Sequence, residues 1–254
     1  MIRRVLFCAM MGLGALGLVG QTTAPAERGG RVATAEEPGE KFPSADSLIW
    51  DFHPLGEVNG TRNLYRSASP VRDLEKKSSE PGADSLAEAK VRLRRMYDRG
   101  IRTIVSLEIA QAATQPADAG QGWKEDDKAA WMRLEREAAE AVGIRYVADP
   151  MANRGPGSLE TLSDEQVKAW LDRVAADLFK YSNEGGVDFH CSAGHDRTGI
   201  VTAYLRIKYE HWSVDRAIQE MRDYGHNWPK FSNNGGVTSW HEAHLRGIAR
   251  MMSH

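Results

Sequence analysis

The chain has 254 residues, and its 33 Lys and Arg residues nearly balance its 35 Asp and Glu residues, which gives a formal net charge of −2. No basic stripe and no cluster of aromatic side chains is present in the sequence, so the composition argues against binding of nucleic acid. The length suits one domain with a single hydrophobic core, and no internal repeat divides it.

The N-terminus carries the pattern of a secretory signal peptide. Two arginines precede an apolar and glycine-rich run over 5–20, and small residues follow that run. The run is short for a membrane span, so a signal peptide over residues 1–24, cleaved after Gly20 or near Ala24, is favoured over an uncleaved anchor. We therefore expect a secreted or periplasmic protein with no stable membrane insertion after cleavage.

The next segment, residues 25–46, is rich in Ala, Gly, Glu and Pro and has hardly any large apolar side chains. This composition predicts a disordered linker. Residues 47–254 form the predicted folded domain, which ends in a helical extension.

Beyond the linker, short β-favouring runs alternate with helical patterns. The predicted strands are 104–107, 144–147 and 187–190. The predicted helices are 84–99, 126–142, 163–181, a helix from about residue 200, then 213–224 and 238–252. This alternation predicts an α/β fold with a central, mainly parallel sheet flanked by helices.

The most informative segment joins the strand at 187–190 to the helix that follows it. It reads His190-Cys191-Ser192-Ala193-Gly194-His195-Asp196-Arg197-Thr198-Gly199, a Cys-x5-Arg loop. At such a junction the helix N-terminus directs free backbone N–H groups and a partial positive charge at a bound anion. The same surroundings favour the thiolate, which is the nucleophilic form of a cysteine.

Each loop residue has a predicted role. Cys191 is the nucleophile, and the Arg197 fork binds the phosphoryl oxygens and stabilises their charge in the transition state. Thr198 offers its hydroxyl to the sulfur, and His190 orients the loop through hydrogen bonds. The predicted substrate-binding residues are Ser192, Ala193, Gly194, His195, Asp196 and Arg197. This chemistry needs neither a metal nor a cofactor.

The cysteine content points the same way. Cys8 lies inside the predicted signal peptide, so cleavage leaves Cys191 as the only thiol. A lone thiol cannot form an internal disulfide, and its presence in an oxidising compartment indicates a chemical task.

The loop resembles the signature of the cysteine-dependent protein tyrosine phosphatase superfamily. Segments 63–70 (Asn-Leu-Tyr-Arg-Ser-Ala-Ser-Pro) and 100–107 (Gly-Ile-Arg-Thr-Ile-Val-Ser-Leu) are similar to the atypical dual-specificity phosphatases of plants, fungi and bacteria. The resemblance implies a protein tyrosine phosphatase-like fold, a phosphatase domain over 47–254, and hydrolysis of phosphomonoesters through a phospho-cysteine. Two features depart from the pattern: His195 stands where many bacterial relatives have Lys, and an extra stretch occupies 111–128.

A phosphatase of this kind also needs a proton donor for the leaving oxygen. Asp149, at the end of the strand over 144–147, is the first candidate, and Asp196 inside the loop is its rival. Glu160, Asp164 and Glu165 fit a helix N-terminus better. Arg154, near Asp149, could reach a second phosphate.

The substrate is left open between a phosphorylated small molecule, such as an inositol phosphate, and a phosphoprotein. Export favours scavenged or extracellular phosphate esters, and His195 suits a polyanionic substrate. Two other classes of function compete with hydrolysis: a phosphate-binding module without turnover, and a redox-sensing thiol protein.

Overall fold

The computed structural model describes residues 49–77, 81–109, 125–226, 230, 232 and 238–253. The predicted signal peptide at 1–24 and the predicted linker at 25–46 lie outside the described residues. So does most of the extra stretch at 111–128.

A single mixed sheet organises the described part of the chain. Its strands are β1 (His53–Pro54), β2 (Leu64–Ala68), β3 (Ile101–Ser106), β4 (Arg145–Ala148) and β5 (Gly186–Cys191), in the spatial order β1-β2-β5-β3-β4. All neighbouring strands run parallel except β1, which pairs antiparallel with β2. The prediction of a mainly parallel sheet is thus confirmed, and β5, which ends in Cys191, lies at its centre.

Helices cover both faces of the sheet. They are α1 (Arg72–Lys77), α2 (Ala83–Asp98), α3 (Glu125–Ala141), α4 (Asp164–Ser182), α5 (Asp196–Tyr209), α6 (Val214–Asp223) and α7 (Trp240–Met252). The predicted helices agree with these bounds to within a few residues. The Ser163 capping box is present as well, since its hydroxyl accepts from the Gln166 N–H. Within the described ranges, no helix has both the length and the apolar content required to cross a bilayer.

The core has two layers, one on each face of the sheet. Val105 and Leu107 of β3 and its continuation belong to the layer formed with α4, α5, α6 and α7, whereas Ile104 belongs to the layer formed with α2 and α3. This division follows from the alternation of side chains along a strand. On β5 the alternation places Phe189 and Cys191 in the first layer and directs Asp188 and His190 to the other face.

Candidate active site

The Cys-x5-Arg loop lies at the carboxyl end of β5, where parallel sheets bind their ligands. β5 ends at Cys191 and α5 begins at Asp196, so four residues make the turn. The His195 side chain at the helix N-cap accepts no hydrogen bond from the helix, which leaves the first N–H groups of α5 available to an anion. The Ser69 N–H, just past β2, donates to the carbonyl of Cys191 at 2.9 Å and fixes the start of the loop.

Gly194 makes the closest approach between the loop and β2. Its φ of +76° favours glycine, and a Cβ atom there would lie 2.8 Å from the Ser67 carbonyl oxygen and 2.9 Å from the Ala68 nitrogen. On the same side, the fully buried Arg66 donates from Nη2 to the Gly194 carbonyl at 2.7 Å. The loop is therefore held by β2 as well as by β5.

Cys191 is buried and only 3% exposed. Burial raises the pKa of its thiol, but the Arg197 charge and hydrogen bonds from the Thr198 side chain and backbone lower it by more, so the pKa lies below its ordinary value. The Thr198 hydroxyl is buried and has no oxygen or nitrogen partner in the described part of the chain. The structure thus brings together the predicted nucleophile Cys191, the positively charged Arg197 and Thr198, whose hydroxyl is predicted to interact with the sulfur.

Among the described residues, Arg197 is held through one nitrogen of its guanidinium. Its Nη1 donates to the carbonyl oxygens of Leu107 at 3.0 Å and Met151 at 3.4 Å. Its Nε is buried without a hydrogen-bond partner among the described residues. A guanidinium held this way can turn its remaining N–H groups to the oxygens of an anion.

His190 points away from the loop, into a polar layer beneath the sheet. Its Nε2 lies 3.1 Å from Oε1 of Glu135 on α3, and both side chains are fully buried. Burial lowers the pKa of His190, but Glu135, Asp188 and Glu108 raise it by more, to about 9. Its predicted role, orienting the loop through hydrogen bonds, stays a prediction; the partner that the structure gives its ring is Glu135.

Asp149, the first candidate acid, lies just past β4 at the same edge of the sheet. Its N–H donates to the Ser106 carbonyl at 2.9 Å, and its Oδ1 accepts from Arg173 Nη2 at 2.7 Å. Its Oδ2 is buried without a partner among the described residues. Because Arg197 contacts Met151, two residues further on, Asp149 and the loop share one edge of the sheet.

The rival acid and the other acidic candidates already have partners. Asp196 Oδ1 is 2.6 Å from His226 Nδ1, and Asp164 Oδ1 is 2.6 Å from His244 Nδ1. Glu160 accepts from the Gly155 N–H. Arg154 donates to the Lys230 carbonyl and lies over the Trp240 ring, so in this arrangement it is engaged with the C-terminal segment.

His195 is held at the crown of the loop. Its Nε2 lies 3.1 Å from Asp51 Oδ2, and this contact is the largest cause of the lowered pKa of Asp51. Gly225 packs against the imidazole so closely that a Cβ would lie 3.0 Å from Cε1. Sequence reasoning missed Asp51 and Arg66 as parts of the site, although Arg66 falls within the segment 63–70 that carried the family resemblance.

The parallel sheet, the junction between β5 and α5 and the Cys-x5-Arg spacing together define a protein tyrosine phosphatase-like domain. The chain belongs to the tyrosine phosphatase family, a family of phosphatase enzymes, whose model matches residues 62–207. The matched region runs from just before β2 into α5 and contains the whole loop.

Individual relatives are more distant. The dual specificity protein phosphatase TpbA of Pseudomonas aeruginosa is 35% identical over 68 residues, which cover 27% of this chain and 31% of that protein. The match thus spans less than a third of the relative's length. The crystal structure of P. aeruginosa TpbA is 22% identical, with a TM-score of 0.40 over 78% of this chain and 92% of that one. The core catalytic domain of the PP-IP phosphatase SIW14 from S. cerevisiae is 15% identical, with a TM-score of 0.41 over 80% and 91%.

Proposed function

We propose that this protein hydrolyses phosphomonoesters through a phospho-cysteine intermediate on Cys191. The observation that carries the proposal is the position of Cys191 at the carboxyl end of β5, with Arg197 and Thr198 in the first turn of the following helix α5. Both of these residues lower the pKa of the Cys191 thiol against the effect of burial. A thiolate at a helix N-terminus beside a guanidinium is both a nucleophile and part of an anion site. Membership of the tyrosine phosphatase family supports the same conclusion.

The proposed reaction has two steps. The Cys191 sulfur attacks phosphorus, the bond from phosphorus to the ester oxygen breaks, and the leaving oxygen takes a proton from Asp149. Water then attacks the phospho-cysteine and returns a proton to Asp149, while the sulfur leaves as a thiolate and accepts a hydrogen bond from Thr198. Arg197 and the loop N–H groups bind the three phosphoryl oxygens in both steps.

Asp149 must carry a proton to start this cycle, and in the structure its Oδ1 accepts hydrogen bonds from Nε and Nη2 of Arg173 at 3.1 and 2.7 Å. The Arg173 side chain is 59% exposed, so solvent screens the pair and makes it weak. The buried Oδ2 of Asp149 is the oxygen available to carry the proton.

The nucleophile is tested by hydrolysis of p-nitrophenyl phosphate. We expect Cys191→Ser to lower kcat/KM by at least about a thousandfold, because an alcohol at this position is a far poorer nucleophile. Cys8→Ser, made and assayed in the uncleaved chain, is the matched control and should leave the rate unchanged. Vanadate should inhibit the wild-type protein and EDTA should not; full activity in Cys191→Ser would overturn the proposal.

The acid is tested by varying the leaving group. Asp149→Asn should slow hydrolysis of an alkyl phosphate by about 10² to 10⁴ and affect p-nitrophenyl phosphate much less, since p-nitrophenolate leaves without a proton. If Asp196→Asn gives that pattern instead, Asp196 is the acid.

One observation favours a second candidate, a phosphate-binding protein without turnover. Oδ1 of Asp149 accepts two hydrogen bonds from Arg173 on α4, so the candidate acid already has a partner outside the loop. Tight vanadate binding by the wild-type protein, with no phosphate released from any substrate, would identify this second function.

For the substrate we propose a phosphate monoester outside the cytoplasm, encountered after export through the signal peptide at 1–24. The Pseudomonas relative is named a dual specificity protein phosphatase, which supports phosphotyrosine and phosphoserine peptides as first substrates. Inositol hexakisphosphate is the alternative, because His195 at the crown of the loop suits a polyanion. A phosphate-release panel separates these classes, and N-terminal sequencing of protein from the extracellular or periplasmic fraction tests export.

A further inference from the structure

A buried histidine links the loop to the C-terminal helix. His226 follows α6, and its side chain is completely buried. Its Nδ1 lies 2.6 Å from Asp196 Oδ1, and its Nε2 lies 2.9 Å from Ser239 Oγ. Asp196 is the first residue of α5, next to Arg197, and Ser239 is the N-cap of α7.

The direction of this link is fixed at its Asp196 end. A carboxylate only accepts hydrogen bonds, so the Nδ1–H of His226 donates a hydrogen bond to Asp196. At the other end, the Ser239 Oγ accepts from the Glu242 N–H and is hydrogen-bonded to Nε2. His226 therefore connects the N-terminus of α7 to the Asp196 carboxylate.

The groups around His226 come from three elements. The ring of His241 on α7 is 5.0 Å away, and its Nε2 contacts Asn153 in the segment after β4. Burial, followed by the charge of His226, lowers the pKa of His241 to about 3, so this imidazole is neutral. The Asp196 carboxylate of the loop faces the Nδ1 side of His226.

An unheld Asp196 would interfere with an anion at the loop. A carboxylate in the first turn of a helix is attracted to the free N–H groups there, which are the groups a phosphate uses. Asp196 also opposes ionisation of Cys191, because its charge raises the pKa of that thiol.

We propose that His226 is a positioning residue: by hydrogen bonding it holds the Asp196 carboxylate toward α7, away from the N–H groups and the guanidinium that bind the phosphoryl oxygens. This inference rests on the proposed phosphatase function of the loop. It assigns the C-terminal segment, whose role the sequence left open, to the support of the site.

Two substitutions distinguish the roles of the two imidazole nitrogens of His226. The amide nitrogen of Asn can replace Nδ1, so His226→Asn keeps a donor for Asp196, whereas the longer Gln reaches the position of Nε2 and contacts Ser239 instead. We expect His226→Asn to stay within about threefold of wild type in vanadate affinity. We expect His226→Gln to weaken it about tenfold to a hundredfold, the range for a lost charge-assisted hydrogen bond.

The readouts are chosen to respond to position rather than to stability. In His226→Gln the KM should rise more than kcat falls. Alkylation of Cys191, followed by mass spectrometry of its peptide, should shift to higher pH. In an Asp196→Asn background the same His226→Gln change should cost less than about threefold, because the carboxylate is already gone. Ser239→Ala removes the hydrogen-bond partner of Nε2 without changing the histidine, and it should move each readout in the same direction by less.

The control is His211→Asn, at an exposed position whose φ of 57° suits Asn. Equal losses in His226→Asn and His226→Gln, or an undiminished His226→Gln effect in the Asp196→Asn background, would overturn the positioning role. If His226→Gln does not fold, an unchanged vanadate affinity in Ser239→Ala would likewise overturn the positioning role. Vanadate binding and alkylation need no turnover, so a wild-type protein that shows this pattern without hydrolysis contradicts the proposed function alone.

Discussion

Gly194 shows how little room the loop leaves for additional atoms. The residue combines a left-handed backbone with backbone atoms of Ser67 and Ala68 within 3 Å of any Cβ. Backbone cannot move aside as the end of a flexible side chain can, so the cost of a substitution is a displacement of the loop itself. That displacement would separate the loop N–H groups from the Arg197 guanidinium.

We expect Gly194→Ala to lose at least about tenfold in vanadate affinity and about 1 to 3 kcal/mol in the free energy of unfolding. Gly56→Ala is the matched control, since Gly56 has nearly the same φ of +78° and no atom lies within 4 Å of the position that its Cβ would take. Isothermal titration with vanadate and urea unfolding measure the two effects. If both variants lose the same free energy of unfolding, the left-handed backbone rather than the close approach to β2 is responsible for that loss.

A layer of buried polar side chains lies between β5 and α3, on the face of the sheet opposite to Cys191. Asp188 accepts from the Ser67 hydroxyl at 2.7 Å, and burial raises the pKa of Asp188 to about 7. His190 faces Glu135, and neither is exposed. An ion pair buried in this way is costly to break by removing one partner, because the other is left as an uncompensated charge.

The free energy of unfolding should fall as the pH rises from 6.5 to 9. His190 titrates near 6.5 when unfolded and at about 9 when folded, so its pair with Glu135 stabilises fully below pH 6.5 and loses its effect as the pH passes 9. The expected loss is about 1 to 3 kcal/mol. Glu135→Gln should flatten this part of the profile, whereas Glu137→Gln, on the exposed side of the same helix, should not. An unchanged slope in Glu135→Gln would assign it to other groups, such as Asp188.

The helices and strands of this domain differ in how clearly the sequence predicts them. β3, β4 and β5 follow glycines, and α4 opens with Ser163 and Gln166, so local patterns suffice. The start of α5 at Asp196 lies before the predicted position near 200, because the last residues of the loop already form the first helical turn. β1 and α1, with two and six residues, are too short to show a period.

The residues of the site also differ in how clearly the sequence predicts them. The residues from His190 to Gly199 are contiguous, so the sequence alone is enough to predict their chemistry. Asp51 and Arg66 reach the loop from 144 and 128 residues away, and only the strand order brings them there. His226 carries no motif, and its link to Asp196 depends on how α6 and α7 pack.

The C-terminal helix completes the domain. α7 packs against α4, α5 and α6, and its Leu245 and Ile248 are buried in the same core layer as Cys191. Arg222 at the end of α6 donates to both carboxylate oxygens of the buried Glu242, at 2.8 and 2.7 Å. His244 binds the Leu159 carbonyl and Asp164 at the start of α4. α7 therefore connects α4, which precedes β5, and α6, which follows α5, to one core layer.

If α7 belongs to the cooperative unit, a cavity beneath it must weaken the whole domain. Leu245→Ala should lower the free energy of unfolding by about 2 to 5 kcal/mol. Val91→Ala on α2, where the side chain is 52% exposed, should change it by less than about 0.5 kcal/mol. Urea unfolding followed by tryptophan fluorescence, with an unchanged m-value and a single transition, would place the loss in one unit. A separate early transition in Leu245→Ala would instead mean that α7 unfolds alone, and the loop would then depend on a helix that can detach from it.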